Sequence, residues 1–190
     1  MSRIAPKPDS HYAWWLRWFF RSQKKRYGQP LEPAKIWARV PKLFLGVATL
    51  YGALDRRSSP IDPVLRALIT VRVSQINWCR FCVDINSATV LKRGASEDKL
   101  RDLERFRESP RYTEKEKAAL AYAEAVTYSD RPVTDELFAE VRRHFSEDEI
   151  VDLTGLIAFQ NLSSKFNAAL DVTPQGFCQI APQPQSPPHS

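Results

Sequence analysis

The sequence predicts an all-α protein, a helical bundle in a single domain. Glycine is scarce, at 6 of 190 residues, and no Asn-Gly or Asp-Gly hairpin signal separates alternating strands. Apolar residues recur at helical spacing, as in Ile150, Leu153 and Ile157. A chain of this length can bury the core of one domain, so no second domain is required.

Prolines and capping residues mark the helix boundaries. Asp62 is a predicted N-cap with Pro63 in the first helical position, Gly94 ends a helix, and Thr113 with Glu116 forms a capping box. The predicted blocks are about 12–27, 34–39, 42–57, 62–76, 79–94, 96–107, 113–129, 134–145 and 147–170.

The two ends are predicted to be flexible. Residues 1–10 are polar and contain two prolines, and residues 181–190 form a Pro-rich tail with four. Neither segment has enough apolar surface to pack, so both are expected to be disordered. The helical domain is therefore assigned to residues 11–180, of which 11–39 form a basic, aromatic N-terminal extension.

Positive charge is concentrated in this N-terminal part. Residues 1–59 hold 12 Lys/Arg against 3 Asp/Glu. Such a segment can meet a membrane surface or nucleic acid, but no nucleic-acid motif is present. Aromatic residues lie nearly all round the predicted first helix, which favours packing against a partner subunit in a homo-oligomer over a membrane surface.

The location expected for the protein is the cytoplasm. Arg17 and Arg21 interrupt the apolar stretch near the N-terminus, and no cleavage-site pattern follows it. The chain has three cysteines, an odd number, which argues against an extracellular domain cross-linked by disulfides.

Cys79 and Cys82 are three residues apart in a chain with only one other cysteine, Cys178. A structural zinc site needs four ligands, and His11 and His144 are isolated in the sequence, so neither a metal nor a cofactor is expected. Two readings stay open for the pair. It is either two small apolar residues in a helical core or a reactive dithiol.

The position of the pair favours the dithiol. Asn77 and Trp78 separate two helical blocks, so the cysteines fall in the first turn of the second helix. Unpaired backbone N–H groups and the helix dipole lower the pKa of a thiol there. Residues at i and i+3 of a helix have Cβ atoms about 5–6 Å apart, close enough for a disulfide after a small adjustment.

The segment 62–100, from "DPVLRALITV" to "GASEDKL", resembles the carboxymuconolactone decarboxylase superfamily in its alkylhydroperoxidase D-like (AhpD-like) branch. Residues 112–127 and 133–170 are similar to the later helices of that family, so the family core is assigned to 40–172. The resemblance rests on Cys-x-x-Cys at a helix start and on the segment "NLSSKFN" at 161–167.

This resemblance implies an antioxidant peroxidase, usually oligomeric. Cys82 would attack the peroxide and become a sulfenic acid, and Cys79 would resolve it to a disulfide. The substrate would be a peroxide or a small-molecule disulfide, and an external dithiol would reduce the enzyme. Independently of the resemblance, Asn86 and Gln75 are polar residues in otherwise apolar helices, so they are expected beside the dithiol as auxiliary residues.

Two positions depart from the proton relay, a histidine and a glutamate, that the resemblance implies for peroxidase members. Asn86 stands where peroxidase members carry histidine, four residues after the second cysteine, and Ala67 stands where they carry glutamate, twelve residues before the first. Neither side chain accepts a proton near neutral pH, and general-base assistance is typically worth about 10²–10⁴-fold. Two alternatives therefore stay open: a non-catalytic interaction protein that retains the fold, and a carboxymuconolactone decarboxylase-type enzyme.

Overall fold

A computed structural model describes residues 2–180, and within that range the chain forms nine α-helices and no strand. The prediction of an all-α fold is confirmed. The helices are α1 (Trp14–Tyr27), α2 (Glu32–Trp37), α3 (Pro41–Leu54), α4 (Pro63–Ile76), α5 (Arg80–Lys92), α6 (Glu97–Arg101), α7 (Glu114–Thr127), α8 (Asp135–His144) and α9 (Glu147–Ala169). Short 3₁₀ turns lie at Asp9–His11 and Asp102–Arg105.

The predicted caps are present. The Asp62 carboxylate accepts the backbone N–H groups of Val64 and Leu65 at 2.9 and 3.0 Å, and α7 and α9 both begin with complete capping boxes. Each such cap stabilises a helix start by about 1 kcal/mol.

The block predicted at 96–107 is shorter as an α-helix than expected. It continues from α6 into the 3₁₀ turn instead of forming one helix. The Tyr112 hydroxyl donates to the backbone carbonyl of Lys99, a residue in the last turn of α6. A side chain thus takes a carbonyl that a longer helix would use, and this contact is invisible to local sequence patterns.

Helix α4 lies at the centre of the bundle. It packs against α5, α7 and α9, and ten of its 14 residues are buried, as expected of a helix that is covered on all sides. Its Leu68 and Ile69 are wholly inaccessible, as are Leu120 of α7 and Leu153 of α9. Each such side chain contributes about 1.5–3 kcal/mol on burial, so α4 is held firmly within the core.

A buried ion pair ties α4 to α7. The Arg72 guanidinium contacts the Glu124 carboxylate with a shortest N–O distance of 2.6 Å, and Arg107 reaches the other oxygen of Glu124 at 2.6 Å. Arg72 and Glu124 are both buried. A buried cation requires an opposite charge nearby, and Glu124 provides it for Arg72.

The N-terminal extension packs beside α9. Leu16 and Phe20 of α1 form a second cluster with Trp37 and Phe44, and the Trp37 ring stacks on Phe166 of α9 with centroids 3.5 Å apart. The outer side of α1 is exposed to solvent, and its Trp14 and Trp18 side chains are 73% and 69% exposed. Among residues 2–180, no helix combines the length and apolar character needed to cross a membrane.

The first residues contact this body. The Arg3 backbone N–H donates to the Leu170 carbonyl at 2.9 Å, and the Arg39 guanidinium donates to the Ala5 carbonyl at 2.9 Å. The flexibility expected for residues 1–10 stays a prediction. The hydrogen bonds of Arg3 and Ala5 to the helical body disfavour it. The tail predicted to be disordered, 181–190, lies outside the described residues.

Candidate functional site

A sharp turn after α4 places the two cysteines. Trp78 has a left-handed backbone with φ 53°, and the Cys79 N–H donates to the Ser74 carbonyl at 3.0 Å. Cys79 is then the N-cap of α5, and its Sγ accepts the backbone N–H of Cys82 at 3.2 Å. Both sulfurs thus lie in the opening turn of α5, where the sequence places them.

Cys79 and Cys82 form a disulfide, with their Cα atoms 5.2 Å apart. The pair belongs to a buried apolar cluster with Ile36, Phe81 and Val172. Cys79 is only 1% exposed and Cys82 3%. A reactant therefore needs a defined route to reach either sulfur.

That route is a cavity of about 340 Å³ lined by residues of α1, α2, α3, α5 and α9. Cys82 lines it, whereas Cys79 does not. Its walls are largely aromatic, built from Phe19, Trp37, Phe44, Phe81 and Phe159. The exposed side chains of Ser22 and Arg26 also belong to the lining, so the cavity reaches the surface beside α1.

The inner end of the cavity carries three amide side chains. Asn167 donates from Nδ2 to the Cys82 Sγ at 3.3 Å. Gln160 and Asn86 both donate to the Ser74 hydroxyl, at 2.9 and 3.4 Å. Asn86 is therefore found in the lining with Cys82, as its spacing predicts.

Sequence reasoning missed Asn167 as a site residue. It ends the "NLSSKFN" segment, 85 positions from Cys82, and α9 brings it back across the start of α5. The only signal in the sequence is an amide in an otherwise apolar helix, a feature shared with Asn161. Asn161 instead bonds Asn77 and Thr127 in the bundle, at 2.9 and 3.1 Å.

The structure does not bring Gln75 to the dithiol, which corrects the placement expected for it. Gln75 accepts from Arg72 at 3.2 Å and donates to Glu104 at 3.3 Å. Ser74 is the residue of α4 that faces Asn86 and Gln160. One residue further along a helix turns the side chain by about 100°, so Gln75 points towards the other side of α4.

Asp84 faces away from Cys82 and anchors the C-terminal loop. This buried carboxylate accepts the backbone N–H groups of Gln175, Gly176 and Cys178 at 2.8–2.9 Å. The loop in turn packs Phe177 against Phe81. Burial raises the pKa of the Cys178 thiol, and this half-buried cysteine forms no disulfide in the described structure.

The comparisons with known proteins identify the family of the chain. The model of the carboxymuconolactone decarboxylase family matches residues 41–125. The uncharacterized protein YnjA of Escherichia coli K12 is 41% identical over 157 residues, which cover 83% of this chain and 86% of YnjA. The chain belongs to the carboxymuconolactone decarboxylase family.

Solved structures place this family member in the AhpD-like branch. The debrominase Bmp8 superposes with a TM-score of 0.80 at 25% identity, covering 92% of both chains. A protein of unknown function from Agrobacterium tumefaciens, a candidate antioxidant defence protein AhpD, superposes with a TM-score of 0.69 at 32% identity, covering 73% of this chain and 94% of the other.

The two departures from the family's proton relay meet in one place. Ala67 of α4 and Asn86 of α5 line a small void of about 50 Å³, which shares Asn86, Phe159 and Gln160 with the large cavity. The one carboxylate lining this void, Asp55, is paired with Arg93 at 2.7 Å. Among the residues that line the large cavity, none is an acid or a histidine.

Proposed function

We propose that this family member is a thiol oxidoreductase that reduces a peroxide with its Cys79/Cys82 dithiol. One observation carries the proposal. The two sulfurs are within bonding distance at the start of α5, and only Cys82 lines the cavity that leads to the surface. This asymmetry supports Cys82 as the attacking thiol and Cys79 as the resolving thiol.

The reaction consumes one peroxide for each disulfide formed. The Cys82 thiolate attacks the terminal oxygen of a hydroperoxide, the O–O bond breaks, and the alkoxide takes a proton to leave as an alcohol. The resulting sulfenic acid condenses with the Cys79 thiol, an S–S bond forms, and water leaves. An external dithiol then reduces this disulfide and is itself oxidised to a disulfide.

Dipoles rather than a base stabilise the thiolate in this proposal. The Asn167 amide donates to the Cys82 sulfur at 3.3 Å, and the positive end of the α5 helix dipole lies beside both sulfurs. Arg80 does not contribute at close range, because its guanidinium is paired with Asp171 at 2.8 Å. We therefore expect oxidation faster than that of a free thiol but slower than with a proton-accepting residue.

A second candidate is reductive dehalogenation of an aromatic compound. The likeness to the debrominase Bmp8 and the aromatic walls of the cavity favour it. In that reaction a C–Br bond is replaced by C–H, the dithiol is oxidised to the disulfide, and bromide and a proton leave. The same two cysteines would serve both reactions.

Stopped-flow oxidation of the reduced protein tests the proposal. We expect hydrogen peroxide or cumene hydroperoxide to convert Cys79 and Cys82 to the disulfide at least tenfold faster than the urea-unfolded protein, with a Cys178→Ser background to remove the third thiol. A brominated pyrrole, followed by bromide release, tests the second candidate. Peroxide rates equal to those of the unfolded protein would exclude peroxidase function.

Restoring the relay should raise the rate. The void between Ala67 and Asn86 leaves room for longer side chains, so we expect the double variant Ala67→Glu/Asn86→His to accelerate peroxide oxidation of Cys82 about 10²-fold or more. The single variant Asn86→Gln, which adds length without a base, is the control. An unchanged rate in a folded double variant would contradict the assignment of these two positions to the relay.

We also propose that the protein is a homo-oligomer in a reducing cytoplasm. Leu43, Leu45 and Leu50 of α3 are 47%, 57% and 46% exposed, an unusual density of open apolar surface on one helix. A second copy is the partner that this surface favours. Light scattering that gives only the 21.8 kDa chain mass at micromolar concentration would exclude the oligomer.

A further inference from the structure

We propose that the cavity selects an aromatic substrate that carries a neutral N–H or O–H donor next to its reacting atom, and that the donor binds the Asn167 side-chain carbonyl. The inference deepens the proposed function by naming a substrate class for the Cys82 site. It rests on that function only for the reacting atom, because binding itself needs no redox step.

The first observation is an acceptor without a partner. Asn167 is 2% exposed, and its Oδ1 is buried with no hydrogen-bond partner among the described residues. Its Nδ2 is already committed to the Cys82 sulfur. A buried polar atom in this state is costly, so a ligand that donates to Oδ1 recovers a hydrogen bond beside the reactive sulfur.

The neighbouring amides have the same orientation. Gln160 and Asn86 both line the cavity, and both use their NH₂ groups to donate to Ser74. No hydrogen bond within residues 2–180 reaches the Oδ1 of Asn86 or the Oε1 of Gln160. The inner end of the cavity is consequently rich in acceptors, and a complementary ligand presents donors.

The charge and shape of the cavity further restrict the class of substrate that it can bind. Arg26 is the only charged residue in the lining, so an ammonium donor would meet a like charge and no carboxylate. A neutral donor fits this lining better. The aromatic walls, with Trp37 stacked on Phe166, favour a flat ring, and about 340 Å³ lies at the small end of the range for ligand pockets.

Matched indoles provide a direct test in the oxidised protein, which cannot turn over. Indole and 3-methylindole keep the ring N–H, whereas 1-methylindole has the same added methyl group but no donor. In titrations followed by ¹⁵N-resolved NMR, we expect 3-methylindole to bind on the order of 5-fold to 100-fold more tightly than 1-methylindole. The Asn167 side-chain NH₂ resonances should shift on binding.

The variant Asn167→Leu keeps the branched shape of the side chain and removes its acceptor, so the preference for the N–H indoles should disappear. Asn167→Asp retains an acceptor oxygen and should retain the preference, which separates loss of the acceptor from loss of folding. Equal affinity of 3-methylindole and 1-methylindole for the unmodified protein would overturn the inference, as would no binding of either. Peroxidase rates are measured separately, so the proposed function could survive that result.

Discussion

Replacing Cys82 with serine is expected to reduce the rate of peroxide-dependent disulfide formation to the background of the buffer, a loss of at least about 10³-fold. Cys82 is the sulfur that lines the cavity, and a serine hydroxyl is not a nucleophile towards peroxide near neutral pH. The measurement is stopped-flow peroxide consumption with a dithiol reductant present.

Cys79→Ser is the matched control. The two sulfurs lie in the same helical turn, but only that of Cys82 lines the cavity. This variant should still consume one equivalent of peroxide, and Cys82 should then stay as a sulfenic acid that dimedone traps. If Cys79→Ser abolished the first oxidation while Cys82→Ser preserved it, the roles of the two cysteines would be reversed.

The second large effect concerns the buried ion pair at the centre of the bundle. Glu124→Gln removes the negative charge that faces Arg72 at 2.6 Å and leaves that cation buried, which typically costs about 3–5 kcal/mol of unfolding free energy. Arg72 also holds Gln75 near the end of α4, so the turn that carries Cys79 should loosen. Urea unfolding followed by far-UV circular dichroism measures the loss.

The exposed pair between Arg101 and Glu97, whose side chains are 56% and 58% accessible, provides the comparison. Glu97→Gln should change the stability by less than about 0.5 kcal/mol. The double variant Arg72→Met/Glu124→Leu should recover much of the loss, because it removes both charges. Equal stability losses for Glu124→Gln and Glu97→Gln would contradict the burial argument.

Local features of the sequence were sufficient to predict the helices and the position of the cysteines. Caps such as Asp62 and Thr113 act within three residues, and Asn77 and Trp78 separate two helical blocks in the sequence. The start of α5 was therefore predictable, although the left-handed backbone of Trp78 was not, since nothing in a tryptophan side chain favours it.

Contacts between distant segments could not be predicted from one sequence. Glu124 lies 52 positions from Arg72 and Asn167 lies 85 positions from Cys82, and many other acids and amides were equally available as partners. Gln75 shows the limit within a single helix. It follows Ser74 directly, but its side chain contacts Arg72 and Glu104 instead of the amides near the dithiol. The cavity itself depends on α1, α2, α3, α5 and α9 together.

The most direct test of the account is a redox titration of the Cys79/Cys82 pair, read by thiol labelling and mass spectrometry across dithiol buffers. We predict one reversible two-electron transition at roughly −180 to −270 mV, the range of catalytic dithiols, while Cys178 stays reduced. A pair that never forms a disulfide, or one that resists reduction below about −300 mV as structural disulfides do, would contradict a working redox centre.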